Sequence, residues 1–237
     1  MNARLAEHTH KAVDSDLSGL EHLINEMSTH VAHQLRDLTA ALRSWDADLA
    51  KQIALRDDNL NAMDEKINHQ AMRFIALRQP VAVDLRTAVA AMRMSKHLER
   101  MGDYTKNIAE RLQTVSNNAP SCPTDPLIKM SSQLLKATED AMDAFNTRDV
   151  GAALRVWSGD EELDTLYNGS FSQMVNHMME HVKEVPSMAH LLFIARDMER
   201  LGDHLTDVVE DIYFMIVGEP VREPRPMADI TTSMMVG

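Results

Sequence analysis

The chain has one cysteine, Cys122, among 237 residues, so no disulfide can form within it and no zinc site can be built from thiolates. Aromatic residues make up only 4% of the chain, while methionine numbers 18. That balance, with many Leu and Ala, suits helices packed on helices better than sheets, whose strands draw on β-branched and aromatic side chains. Basic residues are outnumbered, 24 Lys and Arg against 36 Asp and Glu, which gives a formal charge of −12. A chain of that sign should bind neither nucleic acid nor an anionic lipid surface over a broad face. It leaves room for cations and for basic partner surfaces. No apolar run reaches the roughly 18 residues of a membrane span. The longest candidate, Leu191-Leu192-Phe193-Ile194-Ala195, is far shorter. Met1 to Lys11 lacks the apolar stretch of a signal peptide, so the expected location is cytoplasmic. A glycine-rich phosphate loop, a G-x-S-x-G elbow and a dinucleotide fingerprint are all missing, and no nucleophile stands beside a base. The expectation is a protein without catalytic turnover.

What is present is a repeat. His97-Leu98-Glu99-Arg100-Met101-Gly102-Asp103-Tyr104 returns one hundred positions later as Asp197-Met198-Glu199-Arg200-Leu201-Gly202-Asp203-His204. Met94, Leu98, Met101, Thr105, Ile108 and Leu112 recur in steps of three and four, as do Met198, Leu201, Leu205, Val208, Ile212 and Met215. Each series is a helix with a core-facing seam. Beside the first seam stand Glu99 and Asp103, continued by Asn107 and Glu110; beside the second stand Glu199, Asp203, Asp207 and Glu210. Stacked like charges repel by about 0.2–0.5 kcal/mol per pair on an isolated helix. Local ion pairs such as Arg100 to Asp103 can answer for the first stripe. No Lys or Arg stands between Arg200 and Arg222 to do the same for the second, which favours a cation partner. A mid-helix glycine in both copies costs about 1 kcal/mol relative to Ala, and points to close approach of a neighbouring helix or a bound group.

Around these motifs the fold class reads as all-α: two tandem up-down-up three-helix bundles related by the repeat. A first helix is expected from about His10 to Arg43, a second from Asp46 as cap to about Gln79, and a third from about Val81 to near Val115. Ser116 to Pro126, with three prolines, marks the boundary. The fourth helix is expected from Asp125 to about Asn146, the fifth from its cap Asp149 to about Glu184, and the sixth from Pro186 to a stop at Gly218. The domains are therefore 1–118, 119–218 and a loose tail, 219–237. Asp57-x-x-Leu60-Asn61 in helix two matches Asp160-x-x-Leu163-Asp164 in helix five. Antiparallel packing should bring Asp57 and Asn61 towards Glu99 and Asp103, and Asp160 and Asp164 towards Glu199 and Asp203. Four oxygen-bearing side chains on two helices suit a hard divalent cation such as magnesium, manganese, calcium or iron. With Asp164 against Asn61, the second site should bind the more tightly.

The paired Glu-Arg-(Met/Leu)-Gly-Asp motifs, with Arg78-Gln79-Pro80 leading to Asp84-Leu85-Arg86, resemble the PhoU proteins over nearly the whole chain apart from its tails. The resemblance implies a metal-binding regulator that restrains phosphate uptake and phosphate-starvation signalling. Its implied partners are the phosphate transporter's ATPase subunit and a phosphate-sensing histidine kinase, and it implies a homodimer. By motif match the metal ligands would be Asp57, Asn61, Glu99, Asp103, Asp160, Asp164, Glu199 and Asp203, holding magnesium, manganese or iron. The competing reading is a carboxylate-bridged di-metal enzyme or a metal-storage protein. Helical di-iron sites use Glu-x-x-His, and here Gly102 and Gly202 stand three residues after each Glu. His177-Met178-Met179-Glu180-His181 fits the inverted zinc-protease pattern but lacks an evident third ligand, and reads more simply as a polar helix face.

Overall fold

A computed structural model describes residues 2–55, 58–116 and 119–224, with the backbone alone for 2–11 and 58. The helix signals act where the sequence places them. Asp46 accepts the amide of Leu49 at 2.9 Å and Asp149 that of Ala152 at 2.9 Å, so two helix starts carry side-chain caps. Pro126 and Pro186 occupy first turns, where a missing N–H costs nothing. Gly218 ends the last helix at φ 89°, a conformation that a side chain would strain. The helices are α1 (Asn2–Ser44), α2 (Ala47–Ala54), α3 (Asp58–Arg78), α4 (Ala82–Ser116), α5 (Asp125–Thr147), α6 (Val150–Ser158), α7 (Asp160–Glu180) and α8 (Val185–Val217). Among the described residues there is no strand.

Two expectations need correction. The middle helix of each bundle is not continuous: α2 ends before α3 begins, and α6 ends at Gly159 before α7. Nor does the fifth helix of the sequence reading reach Glu184; α7 stops at Glu180 and a separate 3-10 turn covers Val182–Glu184. The apolar period continues past each break, from Ile53 to Leu60 and from Trp157 to Leu163, all of them buried. Residues 225–237 of the expected loose tail lie outside the described residues.

Both predicted seams are buried along their whole length, Met94 to Leu112 on α4 and Met198 to Met215 on α8. Each such Leu, Ile or Met contributes about 1.5–3 kcal/mol when fully removed from water. The α1–α4 bundle and the α5–α8 bundle lie side by side, and α4 against α8 is the most extensive helix pair. That pair is antiparallel: Arg93 meets Asp211 at 2.9 Å, and further along α4 Arg111 meets Asp197 at 3.4 Å. The contact of His97 with Asp211 and that of Arg111 with Asp197 map onto each other under the hundred-residue repeat. A local two-fold axis therefore passes close to the two motifs. A second antiparallel pair, α1 with α5, joins the bundles through Arg36–Glu139, Thr39–Ser131 and a double Asn25–Asn146 contact.

The linker is stapled to the start of α8. Glu184 accepts the Ser121 amide at 2.9 Å and its hydroxyl at 3.0 Å, and meets His177 Nε2 at 2.8 Å. The hydrogen bond from His177, then the Ser121 amide, hold the Glu184 carboxyl down to about 2. A depressed carboxylate contributes stability above its unfolded value near 4.3, lost as pH falls towards 2. Glu184→Ala should therefore cost more stability at pH 7 than near pH 2, and should speed proteolytic cleavage around Ser121 at pH 7. Unchanged cleavage would mean that the staple does not hold the linker.

Candidate functional site

The four carboxylates that the motifs single out in the second bundle lie on α7 and α8, but no three of them bring ligand atoms within 4.8 Å of one another. Asp160, Asp164 and Glu199 are all buried, and Asp203 is half-buried. Gly202 explains how α7 comes so close. A Cβ there would overlap Leu163 Cδ2 and stand 3.4 Å from Asp160 Oδ1. The glycine thus lets Leu163 seat against the α8 backbone and lays Asp160 beside the motif, the close approach anticipated from sequence. Asp160 also opens α7 with Glu161 and Glu162, where negative charge is favoured by the helix dipole. It lines an open cleft of about 600 Å³ between α5, α6, α7 and α8, with Asp140, Asp143, Glu162, Lys136 and Arg155 around it.

In the first bundle Glu99 is buried and meets Lys96 Nζ at 2.8 Å, while Arg100 bonds Asp103 at 3.0 Å. The Arg100–Asp103 pair is the local one that the sequence allowed. Asn61 is exposed on α3, and Asp57 lies outside the described residues. The α3 carboxylate that faces α4 is instead Asp64, which accepts a bond from Ser95 at 2.6 Å. It sits one turn beyond Asn61, at the position matched by Tyr167 in the second half, so pairing by motif passed over it. Glu199 also has a local cation: Arg196 reaches it at 3.1 Å from the turn before, on the side of the motif that the search for basic residues left out.

Between the bundles is a cluster the motif search did not assemble. His97 Nδ1 and His204 Nδ1 are 3.2 Å apart, and Asp207 Oδ2 lies 3.5 Å from the first and 3.7 Å from the second. Among the described residues this is the one group of three ligand-type side chains whose donor atoms fall within 4.8 Å of one another. Asp211, fully buried, stands behind His97 with its Oδ2 3.8 Å from Nε2. Tyr104 stacks on His204 at 5.6 Å between ring centroids. Burial lowers both histidine pKa values from their ordinary range, against the pull of Asp207, so both rings are neutral at pH 7. Burial pushes Asp211 up to about 7, with Arg93 opposing it and Asp207 and Glu210 adding to it. The sequence did carry a signal: His97 opens the first motif and His204 closes the second. An antiparallel crossing centred on the motifs brings those two ends together.

The His177–His181 segment makes no protease site. The two rings stack on each other at 4.1 Å, His177 is taken by Glu184, and Glu180 is exposed. Ser121 and Glu184 both approach the same ring nitrogen of His177, so no relay through the imidazole can run between them.

The PhoU domain matches this chain twice, over residues 24–112 and 127–212, each match covering one bundle. The phosphate-specific transport system accessory protein PhoU homolog of Caulobacter vibrioides is 37% identical over 227 residues, covering 95% of this chain and 99% of the relative. Its counterpart in Zymomonas mobilis is 38% identical over 226 residues, 95% of each chain. Among solved structures, PhoU from Pseudomonas aeruginosa superposes with a TM-score of 0.83 at 28% identity, covering 87% of this chain and 99% of that one. The phosphate transport system regulatory protein PhoU from Streptococcus pneumoniae gives a TM-score of 0.83 at 25% identity, covering 89% and 100%. With two matching domains, relatives above 30% identity along nearly its full length and a solved PhoU structure superposing over most of the chain, the chain belongs to the PhoU family.

Proposed function

We propose that this protein is a negative regulator of phosphate uptake and phosphate-starvation signalling. It acts in the cytoplasm, as a homodimer, by docking on the phosphate transporter's ATPase subunit and on the phosphate-sensing histidine kinase. Its relatives carry the name of phosphate-specific transport accessory proteins. Among the described residues no helix is long and apolar enough to cross a membrane. The observation that carries the reading is the doubled domain with its doubled Glu-x-x-x-Asp stripe. It turns nothing over; its output is occupancy of partners.

The acidic stripes are its second part. Asp160, Asp164, Glu199 and Asp203 hold magnesium, manganese or iron in the second bundle. Glu99 and Asp103, with Asp57 and Asn61, form the weaker counterpart in the first. Buried carboxylates from two neighbouring helices support the second set.

A deletion strain in phosphate-rich medium should take up phosphate faster than the parent and express starvation genes. Unchanged uptake and unchanged expression would sink the regulatory reading. Glu199→Gln with Asp203→Asn tests the metal part. Glu199→Gln weakens the pair with Arg196 while the double change relieves stacked charge, so the metal-free fold should stay within about 1 kcal/mol of wild type. The rise in melting temperature on adding manganese should shrink, as ligand linkage requires. A full manganese response in the double variant would remove those two residues from the ligand set.

A further inference from the structure

We propose that the seam between the two bundles binds a zinc-class divalent ion through His97 Nδ1, His204 Nδ1 and Asp207 Oδ2. This site is separate from the carboxylate pairs and does not rest on the regulatory reading.

Geometry carries the proposal. Zinc bonds nitrogen and oxygen at roughly 2.0–2.1 Å, and a regular tetrahedron with such bonds has edges of about 3.3–3.4 Å. The three donor atoms form a triangle with sides of 3.2, 3.5 and 3.7 Å, close to one face of that tetrahedron. Both imidazoles bring Nδ1, rather than Nε2, to this triangle. A hydrogen bond between the rings accounts for the shortest side and helix spacing for Asp207 beside His204, but neither brings Asp207 within 3.5 Å of His97 across the seam.

The surroundings match what a ligating histidine is usually given. Such a ring holds its other nitrogen towards a carboxylate, which fixes the tautomer and strengthens the donor. For His97 that group is Asp211, itself anchored by Arg93 at 2.9 Å. The His204 ring is held by the stack with Tyr104. Two imidazoles and one carboxylate select a borderline ion such as zinc over magnesium or calcium. The side chains of His97, His204 and Asp207 keep 24%, 24% and 35% of their surface exposed, so an ion can enter and a fourth ligand can reach it from solvent. One ligand comes from the first repeat and two from the second. Binding therefore ties α4 to α8 across the local two-fold and favours one arrangement of the bundles.

The test uses the full chain, stripped with chelator and titrated with Zn²⁺ and with Co²⁺. The wild-type protein should take up one zinc equivalent at this site, and Co²⁺ there should give the intense visible absorption of four-coordinate cobalt. Zinc should raise the melting temperature. His97→Ala, His204→Ala and Asp207→Asn should each lose the cobalt spectrum and the zinc-dependent rise. Glu199→Gln with Asp203→Asn should keep both. Asp211→Asn should weaken zinc by roughly 10–100-fold, the usual cost of losing a partner behind a ligand. Circular dichroism of the stripped proteins separates lost ligation from lost fold; if a histidine variant unfolds, Asp207→Asn decides. Wild-type zinc affinity in the folded His204→Ala and Asp207→Asn proteins would overturn the site. So would loss of zinc with the Glu199/Asp203 variant alone, or a weak octahedral cobalt spectrum in the wild type.

Discussion

Gly202→Val is expected to destabilise the protein by about 1–2 kcal/mol. The new Cβ would overlap Leu163 Cδ2, and Leu134 Cδ2 stands 3.7 Å away on the other side. Leu163 is only 6% exposed but lines the cleft beside α8, so it can turn part of the way out of the overlap at the cost of its seat against the α8 backbone. Overpacking of this kind costs roughly 1–3 kcal/mol through off-rotamer side chains and backbone shifts. The helix gains only a few tenths of a kcal/mol when Val replaces Gly, which does not offset it. Gly169, on the exposed face of α7 with nothing within 4 Å, provides the control. Gly169→Val should be neutral to within about 0.5 kcal/mol. Urea unfolding of both variants gives the comparison, and equal costs would mean that α7 does not press on α8 at the motif. Leu163→Ala alone should cost about 2–5 kcal/mol by cavity formation. Combined with Gly202→Val it should cost at least 1 kcal/mol less than the sum, because the valine fills space that the leucine vacates.

The same glycine shows how far the sequence could be read. A repeated mid-helix glycine beside a buried seam implied a close neighbour, and Leu163 is that neighbour. The caps at Asp46 and Asp149 and the stop at Gly218 were legible because each acts on its own few residues. So were the seams on α4 and α8, since a period of 3.6 needs no knowledge of the partner. The break at Gly159 was hidden, because the apolar period continues across it and the glycine keeps a right-handed φ of −74°. The seam site was out of reach for a different reason. His97 and His204 are 107 positions apart, and only the antiparallel crossing of α4 and α8 joins them. Reading the two bundles as separate units left that crossing undetermined. The partner of Glu199 stands outside the stripe, since Arg196 precedes the acid, and an i,i+3 partner can precede its acid as readily as follow it.

Asp211→Asn is expected to remove a pH dependence worth about 3 kcal/mol between pH 5 and pH 8, measured with chelator present. Asp211 is fully buried on α8, and burial raises its pKa to about 7. In the unfolded chain the value returns to about 3.9. Between the two values the folded protein binds the extra proton. Stability therefore falls as pH rises through this window, the reverse of the usual salt-bridged carboxylate. Arg93 at 2.9 Å works against the shift but is itself more than half exposed, so its attraction is partly screened; Asp207 and Glu210 add repulsion. The burial of His97 and His204 has the opposite sign. Their lowered values disfavour the charged rings in the folded state, so they contribute a loss of stability as pH drops below about 6.5. The two effects overlap in the wild-type protein and flatten its profile. Comparing wild type with Asp211→Asn separates them, since both proteins keep the histidines. At pH 5 the wild-type carboxyl is largely protonated in the fold and resembles the amide, so the two proteins should differ least. At pH 8 the asparagine variant should be the more stable of the pair relative to pH 5, by that ~3 kcal/mol. A wild-type-minus-variant difference that stays flat from pH 5 to 8 would mean that Arg93 neutralises Asp211 fully and that the carboxylate is ionised in the fold throughout.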